Sequence, residues 1–362
     1  MSVPGLETAL TRTLGCRYPI VQTAMGWVAD PGLVAATTNA GGFGFLAAAT
    51  MGEGEVGPAI EAVKAATDGP FGVNFHMFQP NADEVIEEIL KHRVAAVSYG
   101  RGPDAATIGR FREAGITCMP TVGAAKHAVK AVQLGANVIT IQGAEGGGHT
   151  GSVPTSLLLP QVLDAVDVPV VAAGGFHDGR GLAAALAWGA SGIAMGTRFL
   201  LTEDSPVHRD TLARYLETGD PAVIRVTKSV DGLPQRFIEN EELRRLDEMR
   251  GLTRLIASLR HAHSWGRSKG MGYGQMLKTA WKSMHADDAG FAATVMAPNL
   301  PTLVEKGLVA GDTRHGLLPS GQVAAVIDRL EPCSALIERI AGEARERLDA
   351  LCHPGTEKED TA

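Results

Sequence analysis

The segment GAEGGGHTG, residues 143–151, places one imidazole, His149, behind three consecutive glycines. Glycine lets backbone come close to a flat ligand, and imidazole is the side chain best poised to abstract a proton near neutral pH. A loop histidine that merely caps the following helix would account for the imidazole but not for so many glycines beside it. Two further glycine turns, AAGGFHDGRG (172–181) and MGTRF (195–199), lead from apolar runs toward helices and offer backbone N–H groups to an anion. Together these features describe a phosphate-bearing cofactor that does the chemistry and one histidine that moves a proton.

Other chemistries lack their residues. No GxGxxG opens a helix after a first strand, and GGFGF at Gly41–Phe45 enters a strand, the wrong context for a dinucleotide. A tightly bound mononucleotide fits better, and among barrel enzymes FMN is the natural candidate. His76, His92, His127, His177, His208 and the pair His261 and His263 have no Cys or carboxylate at metal-ligand spacing, so no metal is expected. No Lys closes a strand, as a Schiff base would need, and Glu145 stands without a second carboxylate for metal or glycosidase work.

The elements that must carry these residues are legible as short apolar runs bounded by Gly, Pro or Asn. They are Tyr18–Met25, Phe43–Ala48, Phe71–Phe75, Val94–Tyr99, Ile116–Val122, Asn137–Gln142, Val168–Ala173 and Ser191–Met195. Helix-length stretches separate them, for example Glu53–Thr67, Asp83–His92, Asp104–Ala114, Ala124–Leu134 and Gly179–Trp188, with Gly115, Gly135 and Gly189 where C-caps belong. Eight βα units favour an α/β fold of the closed (β/α)8 TIM-barrel type over an open doubly wound sheet. In such barrels the site lies at the C-terminal strand ends, which puts 22–27, 74–76, 121–123, 142–151, 173–175 and 195–197 on one rim. The expected organisation is a barrel over 1–203, a mainly helical excursion or lid over 204–297, and a return over 298–362 that ends in an amphipathic helix, Ser334–Leu351.

Thirty-three Lys and Arg against forty Asp and Glu leave a net charge of −7, which disfavours nucleic acid and anionic lipid as partners. No apolar run approaches the roughly 20 residues of a membrane span. Cys16, Cys118, Cys333 and Cys352 form no CxxC spacing, and Met1–Tyr18 does not read as a signal peptide, so reduced thiols in the cytoplasm are expected.

The stretches PIVQTAMGWVA, NAGGFGFLA, FGVNF, GAEGGGHTG, VPVVAAGGFHDGRGLAAALAWGASGIAMGTRFL and SGQVA resemble the nitronate monooxygenase (2-nitropropane dioxygenase) superfamily of FMN-dependent (β/α)8 barrels, strongly over 10–205 and loosely beyond. The resemblance implies that Ala24, Met25 and Asn74 lie along the flavin ring or its ribityl chain and that Gln142 hydrogen-bonds the ribityl. It implies that Gly147 and Gly148 flank the flavin, that Gly174, Gly175, Gly196 and Thr197, with Ala173 beside them, hold its phosphate, and that His149 is the catalytic base. Gln322 falls where the family returns a C-terminal loop to the flavin.

The superfamily includes nitronate monooxygenases, flavin enoyl-thioester reductases, NAD(P)H:quinone reductases and an actinobacterial flavoprotein acting on CoA thioesters of steroid-ring breakdown. VQTAMGWVA, TVGAAKHA, SLLLPQVLDAV, VTKSVDGLPQRF and TAWKSM are most similar to the steroid branch. That implies α,β-dehydrogenation of a CoA thioester, or enoyl reduction, with Arg254, Arg260, Arg267, Lys269, Lys278 and Lys282 able to hold CoA phosphates or to form a solvated helical face. The alternatives are oxidation of alkyl nitronates with O2, a quinone reductase using NAD(P) as diffusible co-substrate, and a non-catalytic barrel binding a phosphate metabolite. A homo-oligomer is left open.

Overall fold

The structure is a computed structural model that describes residues 6–77, 79–100, 102–249 and 299–352. Ten short strands precede the excursion: β1 Ile20–Gln22, β2 Phe43–Ala47, β3 Gly72–Phe75, β4 Ala96–Tyr99, β5 Thr117–Cys118, β6 Thr121–Val122, β7 Ile139–Gln142, β8 Gly148–His149, β9 Val170–Ala173 and β10 Gly192–Met195. All but β8 join one parallel sheet in the order β5-β4-β3-β2-β1-β10-β9-β7-β6. Its two outer members are halves of one run, interrupted at Pro120, whose ring removes a ladder donor. Met119 donates backward to Val97 O at 2.8 Å, and Pro120 O accepts from Thr140 N at 2.9 Å. Through that bent stave the sheet closes, so the eight apolar runs of the sequence become the eight staves of a (β/α)8 barrel.

Alternation along each strand divides the core into two layers. Val21, Phe43, Phe45, Ala96, Val171, Ala173 and Ala194 turn into the barrel, where Leu10 and Leu14 join them. Those two leucines come from the helix Ala9–Leu14, which is capped by the Thr8–Thr11 capping box and sits under the N-terminal end of β10, where Thr8 Oγ1 donates to Ser191 O at 2.6 Å. Outward-facing Val73, Phe75, Val97 and Tyr99 meet Val85, Ile86, Ile89, Ile108 and Phe111 of the surrounding helices. Each such fully buried aliphatic or aromatic side chain contributes about 1.5–3 kcal/mol of transfer free energy.

Helix ends follow local chemistry. Asp30, Asp104 and Asp178 cap the helices Pro31–Asn39, Ala105–Glu113 and Gly179–Ala187 by accepting a backbone N–H three residues on. Gly115, Gly135 and Gly189 take the left-handed conformation just past their helices, where the sequence placed C-caps.

The excursion adds the helix Arg209–Leu216, an antiparallel hairpin of β11 Ile224–Thr227 and β12 Gln235–Ile238, and the helix Glu241–Glu248. The hairpin was not evident in the sequence because Arg225, Lys228 and Arg236 break the apolar alternation. The fold satisfies two of those charges in place: Arg225 lies 2.6 Å from Glu239 and 3.0 Å from Asp247, and Arg236 turns inward. Arg254, Arg260, Arg267, Lys269, Lys278 and Lys282 lie outside the described residues. The return runs through the helix Asn299–Leu308 to the last helix, Cys333–Cys352, which packs on Gly179–Ala187 so closely that Glu343 Oε2 accepts Gly179 N at 2.8 Å. Among the described residues no helix is long and apolar enough to cross a membrane.

The barrel interior tolerates no extra carbon at Gly72, where a Cβ would sit 2.3 Å from Phe45 Cε1 and 2.9 Å from Ala96 O. Gly72→Ala should therefore destabilise by about 1–3 kcal/mol through overpacking. Gly109→Ala, on a helix where a Cβ would meet nothing within 4 Å, should instead stabilise by about 0.5–1 kcal/mol. Urea unfolding of the two variants must give opposite signs.

Candidate functional site

The C-terminal strand ends form a ring of half-exposed residues above a buried barrel: Thr23, Ala24 and Met25 after β1, Asn74 in β3, Ser98 in β4, Gln142 in β7, Gly174 after β9 and Gly196 after β10. Asn74 donates its amide to Ser98 O at 3.0 Å, which ties neighbouring staves at the mouth. Gly174 and Gly175 have φ of 100° and 87°, a left-handed pair that only glycine adopts without strain. A side chain at Gly196 would press on Thr23 Oγ1 and Met25 Sδ, so the β1 and β10 ends are in close contact. Trp27 on the same rim has φ of 60°, an uncommon conformation for a bulky residue.

The glycine loop arches over this mouth and is tied from every side. Glu145, which the sequence left without a partner, accepts Thr155 N at 3.0 Å and Thr155 Oγ1 at 2.9 Å, placing a carboxylate at the N-terminus of the helix Thr155–Leu163. Gln142 donates to His149 O at 2.7 Å and to Gly147 O at 3.4 Å. Its amide nitrogen is thus engaged with the loop, and its amide oxygen is the atom left for the ribityl chain that the family resemblance implies. Gly147 meets the C-terminal return backbone to backbone: a Cβ there would lie 2.6 Å from Gly321 N. Gly321 N donates to Thr197 Oγ1 at 2.8 Å and Gln322 N to Glu145 O at 3.0 Å, so Gln322 reaches the loop through its backbone while its side chain is exposed.

The far side of the loop is held by the excursion. β8 pairs antiparallel with β12, placing His149 opposite Gln235 and Gly148 opposite Arg236. The Arg236 guanidinium is buried and donates to Ala144 O at 2.7 Å and Gly146 O at 3.2 Å. Burial depresses its pKa and nearby Glu145 opposes that shift. His149 Nε2 lies 2.7 Å from Asp231 Oδ2; the imidazole is 52% exposed and the carboxylate 7%. Asp231 also accepts Gln235 Nε2 at 2.5 Å and Leu233 N at 3.0 Å. Burial pushes its pKa up, but the hydrogen bond and charge of His149, with those from Gln235 and Leu233, outweigh it and hold the carboxyl below its ordinary value.

Ala24, Met25, Asn74, Gln142, Gly147, Gly148, His149, Gly174, Gly175, Gly196 and Thr197 therefore come together at one end of the barrel, with Ala173 buried just beneath. Asp231, Gln235 and Arg236 were not singled out from sequence, although their stretch, VTKSVDGLPQRF, carried the resemblance to one branch. Among the described residues no group of three His, Cys, Asp or Glu side chains is placed to hold a metal ion.

The family model for nitronate monooxygenase matches residues 7–89 and 81–343. The chain belongs to the nitronate monooxygenase family. Within it, the chain is 45% identical over 346 residues to the (3aS,4S,5R,7aS)-5-hydroxy-7a-methyl-1-oxo-octahydro-1H-indene-4-carboxyl-CoA dehydrogenase of Rhodococcus jostii, covering 96% of this chain and 98% of that one. It is 46% identical over 351 residues to the protein of the same name from Mycobacterium tuberculosis, with 96% and 97% covered. The structure of FabK from Thermotoga maritima superposes with a TM-score of 0.77 at 29% identity over 96% of this chain and 98% of that chain. This member of the family is an oxidoreductase with the (β/α)8 barrel described above.

Arg236→Ala removes both guanidinium bonds to the loop, a cost of about 1.5–3 kcal/mol for hydrogen bonds to a charged group. Amide exchange across 143–151 should accelerate more than in the barrel strands; unchanged protection of the loop would show that Arg236 does not hold it.

Proposed function

We propose that the protein is an FMN-dependent oxidoreductase that introduces an α,β double bond into a CoA thioester of the bicyclic kind left by steroid-ring degradation, with His149 as the base. His149 carries the reaction class: a half-exposed imidazole fixed over the mouth of a barrel whose strand ends, among the described residues, offer no Lys and no carboxylate pair. The substrate class rests on similarity to two carboxyl-CoA dehydrogenases over 96% of the chain.

The rim suits FMN. Gly174 and Gly175 present a left-handed turn of backbone, with Gly196 and Thr197 beside them, as a phosphate-binding corner of a barrel requires. At Gly148 a Cβ would meet nothing within 4 Å among the described residues, so the loop itself does not crowd a ligand at that position. Asn74 and Met25 edge the same mouth. When bound, FMN supplies the two-electron acceptor for the hydride that leaves the β-carbon. The chain does the rest: backbone glycines admit the ring, and His149 takes the α-proton that the thioester carbonyl acidifies.

Anaerobic titration distinguishes this proposal from its alternatives. The purified protein should be yellow, and its flavin should bleach with saturated bicyclic acyl-CoAs. Bleaching by alkyl nitronates alone, followed by fast reoxidation in air, would favour nitronate oxidation; bleaching by NAD(P)H alone would favour a reductase. His149→Ala should retain FMN and lose the half-reaction that begins with proton removal by roughly 10²–10⁴-fold.

A further inference from the structure

We infer that Asp231 is a positioning residue for the acid–base histidine: it holds His149 in the tautomer with hydrogen on Nε2 and thereby makes Nδ1 the nitrogen that receives the substrate proton. The inference rests on the proposal that His149 is the base and adds the atom that acts and the residue that selects it.

An ionised carboxylate can only accept hydrogen bonds, so a 2.7 Å contact with Asp231 Oδ2 requires Nε2 to donate. Gln235 Nε2 and Leu233 N donate to the same carboxylate, which is only 7% exposed, so three donors in all hold it in its charged form in the folded state. With Nε2 engaged, a neutral imidazole keeps its lone pair on Nδ1, which has no hydrogen-bond partner among the described residues. The ring is half-exposed, so it remains open to a ligand while Nε2 is held by the buried carboxylate.

Both partners are fixed by one piece of backbone. Asp231 lies in the turn between β11 and β12, which Gly232 closes with φ of 87° and an N–H donated to Lys228 O at 2.9 Å. Gln235, four residues on, pairs through its backbone with His149 and through its side chain with Asp231. The hairpin therefore sets the position of the imidazole and its proton at once. When Nδ1 takes a proton from substrate, the ring becomes an imidazolium beside a buried carboxylate, which stabilises the charge that develops.

The test combines a spectroscopic and a kinetic measurement on the FMN-loaded protein. In ¹⁵N-labelled protein, with His149→Ala used to identify the signals, His149 Nε2 should show the protonated and Nδ1 the unprotonated imidazole shift. Asp231→Asn, which keeps the shape and removes the charge, should lose that single-tautomer pattern. It should slow flavin bleaching by a saturated bicyclic acyl-CoA at saturation by roughly 10²–10⁴-fold while leaving FMN content and KM near wild type. A wild-type signal with the proton on Nδ1, or an Asp231→Asn protein that bleaches at the wild-type rate, overturns the inference. A His149→Ala protein that bleaches normally would instead overturn the base assignment, and the tautomer would still be read from the spectrum.

Discussion

A loop with five glycines in nine residues has no intrinsic reason to hold an imidazole in one place. Ordering each residue costs about 1–2 kcal/mol of backbone entropy, and glycine costs the most. A single net hydrogen bond returns only about 0.5–1.5 kcal/mol, so the loop needs several ties acting together. They come from three regions of the chain. The barrel supplies Gln142 and, through Glu145, the start of the helix Thr155–Leu163; the excursion supplies β12 and Arg236; the return supplies Gly321 and Gln322. The site is therefore formed only when all three have folded together, and the glycines that make room for a ligand depend on side chains far away in sequence.

That dependence explains which parts were legible in the sequence. The eight staves could be read because each is a local apolar run, and even the break at Pro120 left its run recognisable. Helix ends were legible where one residue decides them, as at Gly115, Gly135 and Gly189. The rim residues followed from the rule that places barrel sites at strand ends. Asp231 was not legible, because it meets His149 across 82 residues and no local spacing announces such a pairing. Arg236 was hidden for a related reason: in sequence it is one more cation in a charged stretch, whereas in the fold it is a buried donor to two loop carbonyls.

The same contrast bears on how the basic character of the excursion is weighed. Arg225, Arg244 and Arg245 are each matched to carboxylates, Glu239 and Asp247 for the first, Glu239 for the second and Glu242 for the third. Their guanidinium ends are 42–63% exposed while the carboxylates are half-buried or buried, so the pairs serve mainly to orient the hairpin and the helix behind it. These three arginines are therefore engaged within the fold and are not free charges for a phosphate-bearing substrate.

The division of labour also fits a fold that hosts several chemistries. The rim that suits the cofactor lies on the barrel and on the loop inside it, so it can stay constant while substrates change. The group that orients the histidine lies on the hairpin of the excursion. Because β12 pairs directly with β8, a shift in the hairpin is transmitted to His149 through two backbone register pairs and one side-chain contact, without passing through the barrel. Variation in the hairpin can therefore alter how the imidazole is held, while the eight staves and their glycine turns remain as they are.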